Sequence, residues 1–319
     1  MKIFVTGGTG FIGSNLCKKL IYDGHYVICL DNNYTGKMEN IKELMENKNF
    51  GFIQMDVLNI NPKILKDIDL IYNLACPASP PAYQGKHAIE TTKTCVIGAL
   101  NVLEMAKYNN CRIIQTSTSE VYGEPLQHPQ TEEYRGNVNP IGIRACYDEG
   151  KRCAESLFFD YHRYEGVNIG VVRIFNTYGP MMDPNDGRVV SNFIFQALKG
   201  EDLTIYGDGT QTRSFCYIDD LIDIILKVMA SNDQFLGPIN TGNPKEFTVK
   251  KLASLVIEKI NKRNGGNLKV IFKPLPSDDP TRRKPDITLA KNLFNWDPQI
   301  SLDEGLDKTI EYFSSNMKC

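Results

Sequence analysis

The sequence is poor in the residue patterns that hold metal ions. Its 319 residues include four histidines and nine cysteines. The histidines are far apart and no two cysteines form a C-x-x-C pair, so the spacing typical of zinc sites is absent and we expect no metal. Most of the cysteines lie inside apolar runs, which is typical of reduced thiols in a cytoplasmic protein.

The sequence also has no strong charge of one sign and no long apolar run. Its 36 Lys and Arg residues and 38 Asp and Glu residues give a formal net charge of −2. This balance offers no electrostatic surface for nucleic acid, so we expect no nucleic-acid partner. No apolar run reaches the length of a membrane span and no targeting segment is recognisable, so we expect no membrane partner either.

What the sequence does contain is a regular alternation of apolar strands and amphipathic helices. This alternation predicts a Rossmann-type α/β fold with a doubly wound parallel sheet. We expect residues 1–175 to form this domain, with later segments near 214–242 returning to it. Beyond Asn176 the elements shorten, and residues 176–319 are expected to form mainly a smaller C-terminal, substrate-binding lobe. The predicted strands cover residues 3–5, 26–30, 50–55, 70–74, 112–115 and 167–173.

A glycine-rich turn follows the first predicted strand. Gly8, Gly10 and Gly13 stand in G-x-G-x-x-G spacing where a helical pattern begins. We expect Gly8 to permit the turn, Gly10 to let the backbone approach a pyrophosphate, and Gly13 to let the helix pack closely on its strand. Asp31 ends the second strand, and its carboxylate can accept a hydrogen bond from the adenosine ribose. Because this charge repels a 2'-phosphate, the sequence predicts NAD rather than NADP as the cofactor.

A tyrosine and a lysine four residues apart suggest a base. Tyr147 and Lys151 share one face of a helix predicted over 147–164. The lysine charge is expected to lower the pKa of the phenol from about 10 and to make it a base near neutral pH. Thr118, at the end of a strand, can hydrogen-bond the substrate hydroxyl that Tyr147 deprotonates. With the dinucleotide site, these residues predict hydride transfer at a carbinol carbon.

Several longer motifs carry a resemblance to a known family. They include NLACPASPP at 73–81, TSTSEVYG at 116–123, CYDEGK at 146–151, RIFNTYGP at 173–180 and YGDGTQTRSF at 206–215, with further segments at 136–142, 186–193 and 278–286. By these motifs the chain resembles the extended short-chain dehydrogenase/reductase family nearly end to end, and within it the UDP-glucuronate decarboxylases. The resemblance implies NAD-dependent conversion of UDP-glucuronate to UDP-xylose and CO2 through a UDP-4-keto intermediate, with NAD recycled.

The resemblance also assigns residues to the cofactor. It implies that Tyr147 and Lys151 contact the nicotinamide end, where Lys151 binds the ribose. The remaining cofactor residues are Gly7, Gly10, Phe11 and Ile12 at the pyrophosphate, Asp31, Asn32 and Asn33 at the adenosine ribose, Asp56 and Val57 at the adenine, and in addition Leu74 and Thr94.

Catalytic and substrate residues are implied in the same way. The catalytic set is Thr118, Ser119, Glu120, Tyr147, Lys151 and Arg213. The UDP-sugar is expected to contact Asn176, Arg188, Tyr206, Arg213 and Arg283. Glu120 and Ser119 are expected to orient the sugar or to relay a proton to its C5 carbon. Arg213 is expected either to stabilise the carboxylate and enolate or to clamp the diphosphate.

The same motifs favour three alternative functions less strongly. A 4,6-dehydratase of the same family carries an Asp-Glu pair after the threonine, whereas here Ser119 precedes Glu120. A UDP-sugar 4-epimerase typically lacks a carboxylate at the Glu120 position. A non-catalytic nucleotide-sensing module is disfavoured by the intact set of Thr118, Tyr147 and Lys151. We also expect a homodimer, formed through the predicted helices at 87–108 and 147–164.

Overall fold

The computed structural model describes residues 1–231, 235–274 and 282–316, so residues 278–281 of the motif at 278–286 lie outside the described residues. Seven strands form one parallel sheet, and the other strands are short and lie in smaller sheets. In chain order the strands are β1 (Lys2–Thr6), β2 (Tyr26–Asp31), β3 (Phe50–Gln54), β4 (Leu70–Asn73), β5 (Arg112–Thr118), β6 (Ile169–Ile174), β7 (Thr177–Tyr178), β8 (Leu203–Tyr206), β9 (Thr212–Ser214), β10 (Cys216–Tyr217), β11 (Ile239–Thr241), β12 (Glu246–Thr248), β13 (Val270–Lys273) and β14 (Arg282–Arg283).

The order of the large sheet is β11-β6-β5-β4-β1-β2-β3. Every pairing in it is parallel, which requires a crossover connection between successive strands. The chain moves outward from β1 to β2 and β3, then returns to β4 on the other side of β1. A crevice opens at such a reversal, beyond the carboxyl ends of β1 and β4. The predicted Rossmann-type fold is confirmed.

Helices cover both faces of this sheet. The helices of the described residues, including those of the later part of the chain, are α1 (Phe11–Tyr22), α2 (Pro80–Tyr83), α3 (Ala88–Lys93), α4 (Ala99–Asn109), α5 (Ala145–Glu165), α6 (Val189–Leu198), α7 (Ile218–Ala230), α8 (Val249–Asn264), α9 (Thr288–Phe294) and α10 (Leu302–Asn316). The helix predicted over 87–108 is divided by a wider π turn at Thr94–Gly98, which joins α3 to α4. Within the described ranges, no helix has both the length and the apolarity to cross a bilayer.

Side chains that alternate along the strands build two apolar cores, one on each face. Ile3 and Val5 of β1 pack in the core that contains α1 and α7, whereas Phe4 packs in the core that contains α4 and α5. All three are fully buried. This pattern follows from the two-residue period of a strand, and burial on both faces explains why the strands read as continuous apolar runs.

The later part of the chain supplies both a strand of the large sheet and a separate lobe. Ile239–Thr241 pairs with β6 at the edge of the large sheet. In the lobe, β9 pairs with β12 on one side and with β14 on the other, which places Arg213 opposite Arg283. The domain boundaries at 175 and 176 stay a prediction. Residues of the lobe and residues at the carboxyl ends of the large sheet line the same crevice.

Candidate active site

A cavity of ≈ 1250 Å³ lies between the carboxyl ends of the large sheet and the lobe. Two residues predicted for the site, Gly8 of the turn and Asn33, do not line it. The predicted residues that do line it are Gly7, Gly10, Phe11, Ile12, Asp31, Asn32, Asp56, Val57, Leu74, Thr94, Thr118, Ser119, Glu120, Tyr147, Lys151, Asn176, Arg188, Tyr206, Arg213 and Arg283.

The glycine-rich turn forms one end of this cavity. Gly7 takes the left-handed region, with φ of 71°. Gly8 is required for space, because a Cβ there would lie 2.3 Å from the Cys29 sulfur. A Cβ at Gly13 would lie 2.1 Å from the Gly7 carbonyl oxygen. The α1 N-terminus therefore packs against the turn, and Gly10 begins it as the N-cap at the cavity wall.

Two aspartates order the loops beside this turn. The Asp31 carboxylate accepts hydrogen bonds from the backbone N–H of Thr9 at 3.0 Å and of Asn33 at 2.8 Å. Asp56 accepts from the backbone N–H of Leu58 and from the Asn32 side chain. The Asn33 side chain accepts a hydrogen bond from the Thr9 hydroxyl and so ties the loop after β2 to the glycine-rich turn.

The donor set at this end of the cavity fits NAD. A helix N-terminus carries partial positive charge that favours a pyrophosphate, and the glycines leave room for its close approach. Asp31 stands at the end of β2 on the cavity wall, where a carboxylate suits ribose hydroxyls and disfavours a phosphate. The residues present thus match a dinucleotide without a 2'-phosphate.

Tyr147 lies among packed aromatic and polar groups at the centre of the cavity. It is 6% exposed, and the Tyr83 ring stacks on its ring with centroids 4.7 Å apart. The Thr118 side chain shares a hydrogen bond with the phenol. Lys151 follows one helical turn later, and its ammonium donates to the Thr116 carbonyl at 2.9 Å. Strand β5 and helix α5 therefore place the three predicted catalytic groups together.

The pKa of Tyr147 differs from the sequence expectation. Burial raises this pKa well above its ordinary value, Cys76 raises it further, and the hydrogen bond with Thr118 acts in the opposite direction. The prediction that Lys151 lowers the pKa is therefore wrong for this structure. The lysine ammonium is held at the Thr116 carbonyl, 5.9 Å from the centre of the Tyr147 ring, and burial of the phenol outweighs its charge.

Glu120 is held by two arginines. Its carboxylate accepts from Arg144 at 2.5 Å and from Arg283 at 3.1 Å. Burial raises the pKa of Glu120, but the charges of Arg283 and Arg144 outweigh it and bring the pKa below its ordinary value. Arg283 is 2% exposed and also donates to the Gly123 carbonyl. Glu120 is therefore an ionised carboxylate at neutral pH, with the Arg213 charge also nearby.

Arg144 and Asp148 belong to this cluster and were not predicted. Arg144 lines the cavity, whereas Asp148 is 7% exposed and its Oδ1 atom has no hydrogen-bond partner among the described residues. Burial raises the pKa of Asp148 to about 7, and the charges of Glu120 and Glu149 act in the same direction. The charges of Arg144 and Arg283 lower this pKa but do not outweigh burial. The available signal was their closeness to Tyr147 in the sequence, Arg144 as the N-cap of α5 and Asp148 in its first turn.

Groups that bind metals do not cluster in the part of the chain that the structure describes. No set of three or more His, Cys, Asp or Glu side chains there is arranged to hold a metal ion. The charged groups of the site are instead arginines paired with carboxylates. The same cavity also presents the Tyr147 phenol and the hydroxyls of Thr118 and Ser119.

The fold and the site define a nucleotide-dependent oxidoreductase-like enzyme. The chain belongs to the NAD dependent epimerase/dehydratase family, which it matches over residues 3–242. It is 52% identical to UDP-glucuronic acid decarboxylase 3 of Arabidopsis thaliana over 98% of this chain and 89% of that protein. It is 49% identical to UDP-glucuronic acid decarboxylase 1 of Danio rerio over 99% of this chain and 73% of that protein. The predicted family membership is confirmed.

Solved structures show the same architecture. UDP-glucuronic acid 4-epimerase from Bacillus cereus, in complex with UDP-glucuronic acid and NAD, has a TM-score of 0.87 and 31% identity over 99% of this chain and all of that one. UDP-glucose 4-epimerase from Thermotoga maritima has a TM-score of 0.89 and 31% identity over the whole of both chains.

We predict that Asp148→Asn stabilises the protein at high pH. An ordinary aspartate has a pKa near 3.9, so between about pH 4 and 7 the folded protein holds a proton that the unfolded chain has lost. Stability therefore falls as pH rises through this window. The variant should gain up to about 4 kcal/mol of unfolding free energy relative to wild type at pH 8, and little at pH 4.

Urea unfolding at several pH values measures this difference. Asp160→Asn is the matched control, because Asp160 lies on the same helix but is exposed and paired with Arg163. A stability change at Asp148 that is the same at pH 4 and pH 8 contradicts the prediction.

Proposed function

We propose that this protein catalyses the NAD-dependent decarboxylation of UDP-glucuronate to UDP-xylose and CO2. The observation that carries the proposal is the cluster of Arg144, Arg213 and Arg283 around Glu120, next to the Tyr147 phenol. Such a cluster suits an anionic sugar that must be oxidised at a hydroxyl. The near 50% identity to UDP-glucuronic acid decarboxylases supports the choice of substrate.

The chemistry follows from the position of the sugar's carboxylate. Oxidation at C4 makes the C6 carboxylate β to a ketone, so CO2 leaves while the bonding electrons enter an enolate. NAD, when bound, supplies the acceptor for the C4 hydride and the same hydride for the final reduction. Protonation at C5 and reduction at C4 then give the pentose with no net redox change.

The Tyr147 phenol is the group that moves the proton of the 4-hydroxyl. Thr118 hydrogen-bonds the phenol and holds it toward the strand ends, and Lys151 is fixed by the Thr116 carbonyl one turn away. Tyr83 stacks on the ring and excludes water from one of its faces. Because burial disfavours the phenolate, Tyr147 would accept the 4-hydroxyl proton only once positive charge nearby, from Lys151 and a bound nicotinamide, has favoured loss of its own proton.

Glu120 and Ser119 orient the sugar ring and relay a solvent proton to C5, because an ionised Glu120 has no proton of its own to give. Arg144 and Arg283 hold the Glu120 carboxylate in one orientation, so it enters the reaction as an ionised acceptor. Arg213 lines the cavity beside this pair, where its charge favours the developing enolate. Arg283 thus acts on the sugar indirectly, because it holds the Glu120 carboxylate in place.

The part of the cavity that is lined by Asn176, Arg188 and Tyr206 holds the nucleotide of the substrate. Arg188 stands at the N-terminus of α6. A guanidinium next to a helix N-terminus suits a diphosphate. The Tyr206 ring is 44% exposed, which leaves it available to a uracil base.

Incubation of the purified protein with NAD and UDP-glucuronate tests the proposal. We expect CO2 and a UDP-pentose in equal amounts, and we expect Tyr147→Phe to lower the rate by at least about 100-fold while NAD still binds. Product is measured by chromatography and NAD binding by calorimetry. Formation of UDP-galacturonate without CO2 indicates an epimerase, loss of water indicates a dehydratase, and binding without turnover indicates a nucleotide sensor. Near-normal turnover by Tyr147→Phe contradicts its role.

Glu120→Gln is predicted to impair catalysis more than binding. The variant keeps the shape of the side chain but removes the charge that Arg144 and Arg283 share. We expect kcat for CO2 release to fall by about 100-fold or more, with little change in UDP affinity. Glu149→Gln is the control, since that carboxylate pairs with Arg152 at the surface. An equal loss in UDP affinity and kcat/KM shows that Glu120 only binds.

We further propose a homodimer formed by α3, α4 and α5 of two copies. Ile89 and Ile97, in this helical layer, are 70% and 42% exposed, so contact between two copies would remove apolar surface from water. Sedimentation should give the mass of two chains, and Ile97→Glu should give one. Ile64→Glu, at an exposed isoleucine outside this layer, should leave the dimer intact. A monomeric wild type contradicts the proposal.

The cysteines support a reducing compartment, and we propose the cytoplasm. All eight described cysteines are free thiols. Several are fully buried and act as small apolar side chains. Free buried thiols in this number are typical of proteins that work where disulfides are kept reduced.

A further inference from the structure

Two cysteine side chains meet in the wall of the cavity. Cys76 lies in the loop after β4 and lines the cavity, and Cys95 lies in the π turn between α3 and α4, 3% exposed. Their sulfur atoms are 3.2 Å apart, and either thiol can donate to the other. A disulfide bond is about 2.05 Å long, so an approach of about 1 Å joins the two residues.

The two thiols differ in character. Burial raises the pKa of Cys76, but the hydrogen bond from Cys95 and the charge of Lys151 outweigh it and lower the pKa below its ordinary value. The pKa of Cys95 is raised instead, by the hydrogen bond with Cys76 and by burial. An accessible thiol with a lowered pKa, beside a second thiol, is the arrangement that oxidants attack first.

Among the described thiols, Cys17, Cys29 and Cys146 each lack one of these features. Cys17 and Cys29 are also hydrogen-bonded to each other, but both are 0% exposed, and the hydrogen bond with Cys29 and burial raise the pKa of Cys17 well above its ordinary value. Cys146 donates to the Tyr83 carbonyl, and burial raises its pKa. These cysteines are therefore internal references for the reactivity of the Cys76 and Cys95 pair.

We propose that Cys76 and Cys95 are an oxidation-sensitive pair that hydroperoxides convert into an intramolecular disulfide. The Cys76 thiolate attacks a peroxide oxygen, so an S–O bond forms, the O–O bond breaks, and the departing oxygen leaves as water or an alcohol. The Cys95 thiol then attacks the sulfenic sulfur, so the S–S bond forms, the S–O bond breaks, and water leaves with the Cys95 proton. The thiols lose two electrons, and the peroxide gains them.

The disulfide changes the wall that carries the catalytic residues. Cys95 packs against Gly150, where a Cβ would lie 2.9 Å from the Cys95 Cβ. Gly150 stands between Tyr147 and Lys151 on α5. A bond from Cys95 to the loop of Cys76 therefore fixes that loop to the turn of α5 that bears the phenol and the ammonium. We expect the oxidised protein to bind NAD more weakly, and bound NAD to slow the oxidation, because the oxidant reaches Cys76 through the cavity.

The test uses the reduced, full-length protein with hydrogen peroxide, with and without saturating NAD. Remaining thiols are alkylated at intervals, and peptides are analysed by mass spectrometry. We expect a peptide that links Cys76 to Cys95 and lacks two hydrogen atoms, formation that is several-fold slower with NAD, and reversal by dithiothreitol. NAD affinity before and after oxidation is measured by calorimetry and should fall several-fold.

Variants separate the two roles of the thiols. Cys76→Ser should abolish the linked peptide, and Cys95→Ser should leave Cys76 as a sulfenic acid that dimedone traps. Cys146→Ser is the matched control and should leave the linked peptide unchanged. Because the linked peptide is identified in the wild-type protein, the proposal can be tested even if a variant folds poorly. A link from Cys76 to Cys146, oxidation of Cys17 and Cys29 at the same rate, or intact thiols at Cys76 and Cys95 overturns the proposal.

Discussion

The site depends on the close contact between α1 and the turn after β1. A side chain at Gly13 cannot be accommodated, because its Cβ would overlap the Gly7 carbonyl oxygen at 2.1 Å. Because Gly13 has no side chain, the first turn of α1 packs against the short turn that follows β1. The positive N-terminus of α1 then lies at the crevice between β1 and β4, and the cavity extends from there under the lobe.

The chemistry of the cavity is set by the competition between burial and ion pairing. Glu120 and Asp148 belong to one cluster, yet their pKa values move in opposite directions. Arg144 and Arg283 contact the Glu120 carboxylate and keep it ionised, whereas one oxygen of Asp148 has no hydrogen-bond partner among the described residues. Carboxyl groups in contrasting environments can take different roles in one reaction at one pH.

Residues that are distant in the chain meet here because the strand ends and the lobe converge. Thr118 comes from the end of β5 and Tyr147 from α5, while the lobe brings Arg213 and Arg283 side by side on paired strands. The lobe therefore supplies much of the positive charge and the large sheet supplies the hydroxyls. Joining these two sources is what turns a dinucleotide-binding crevice into a site for an anionic sugar nucleotide.

Local, periodic features were predictable from the sequence by itself. The strands, the glycine-rich turn and the spacing of Tyr147 and Lys151 were readable because each depends on residues within a few positions of one another. Tertiary structure alone decided that Gly7 takes the left-handed conformation, that Asn33 accepts from the Thr9 hydroxyl and does not line the cavity, and that burial raises the Tyr147 pKa. It also decided that Arg144 joins the site. These properties depend on desolvation and on contacts between segments far apart in the chain, which no local pattern encodes.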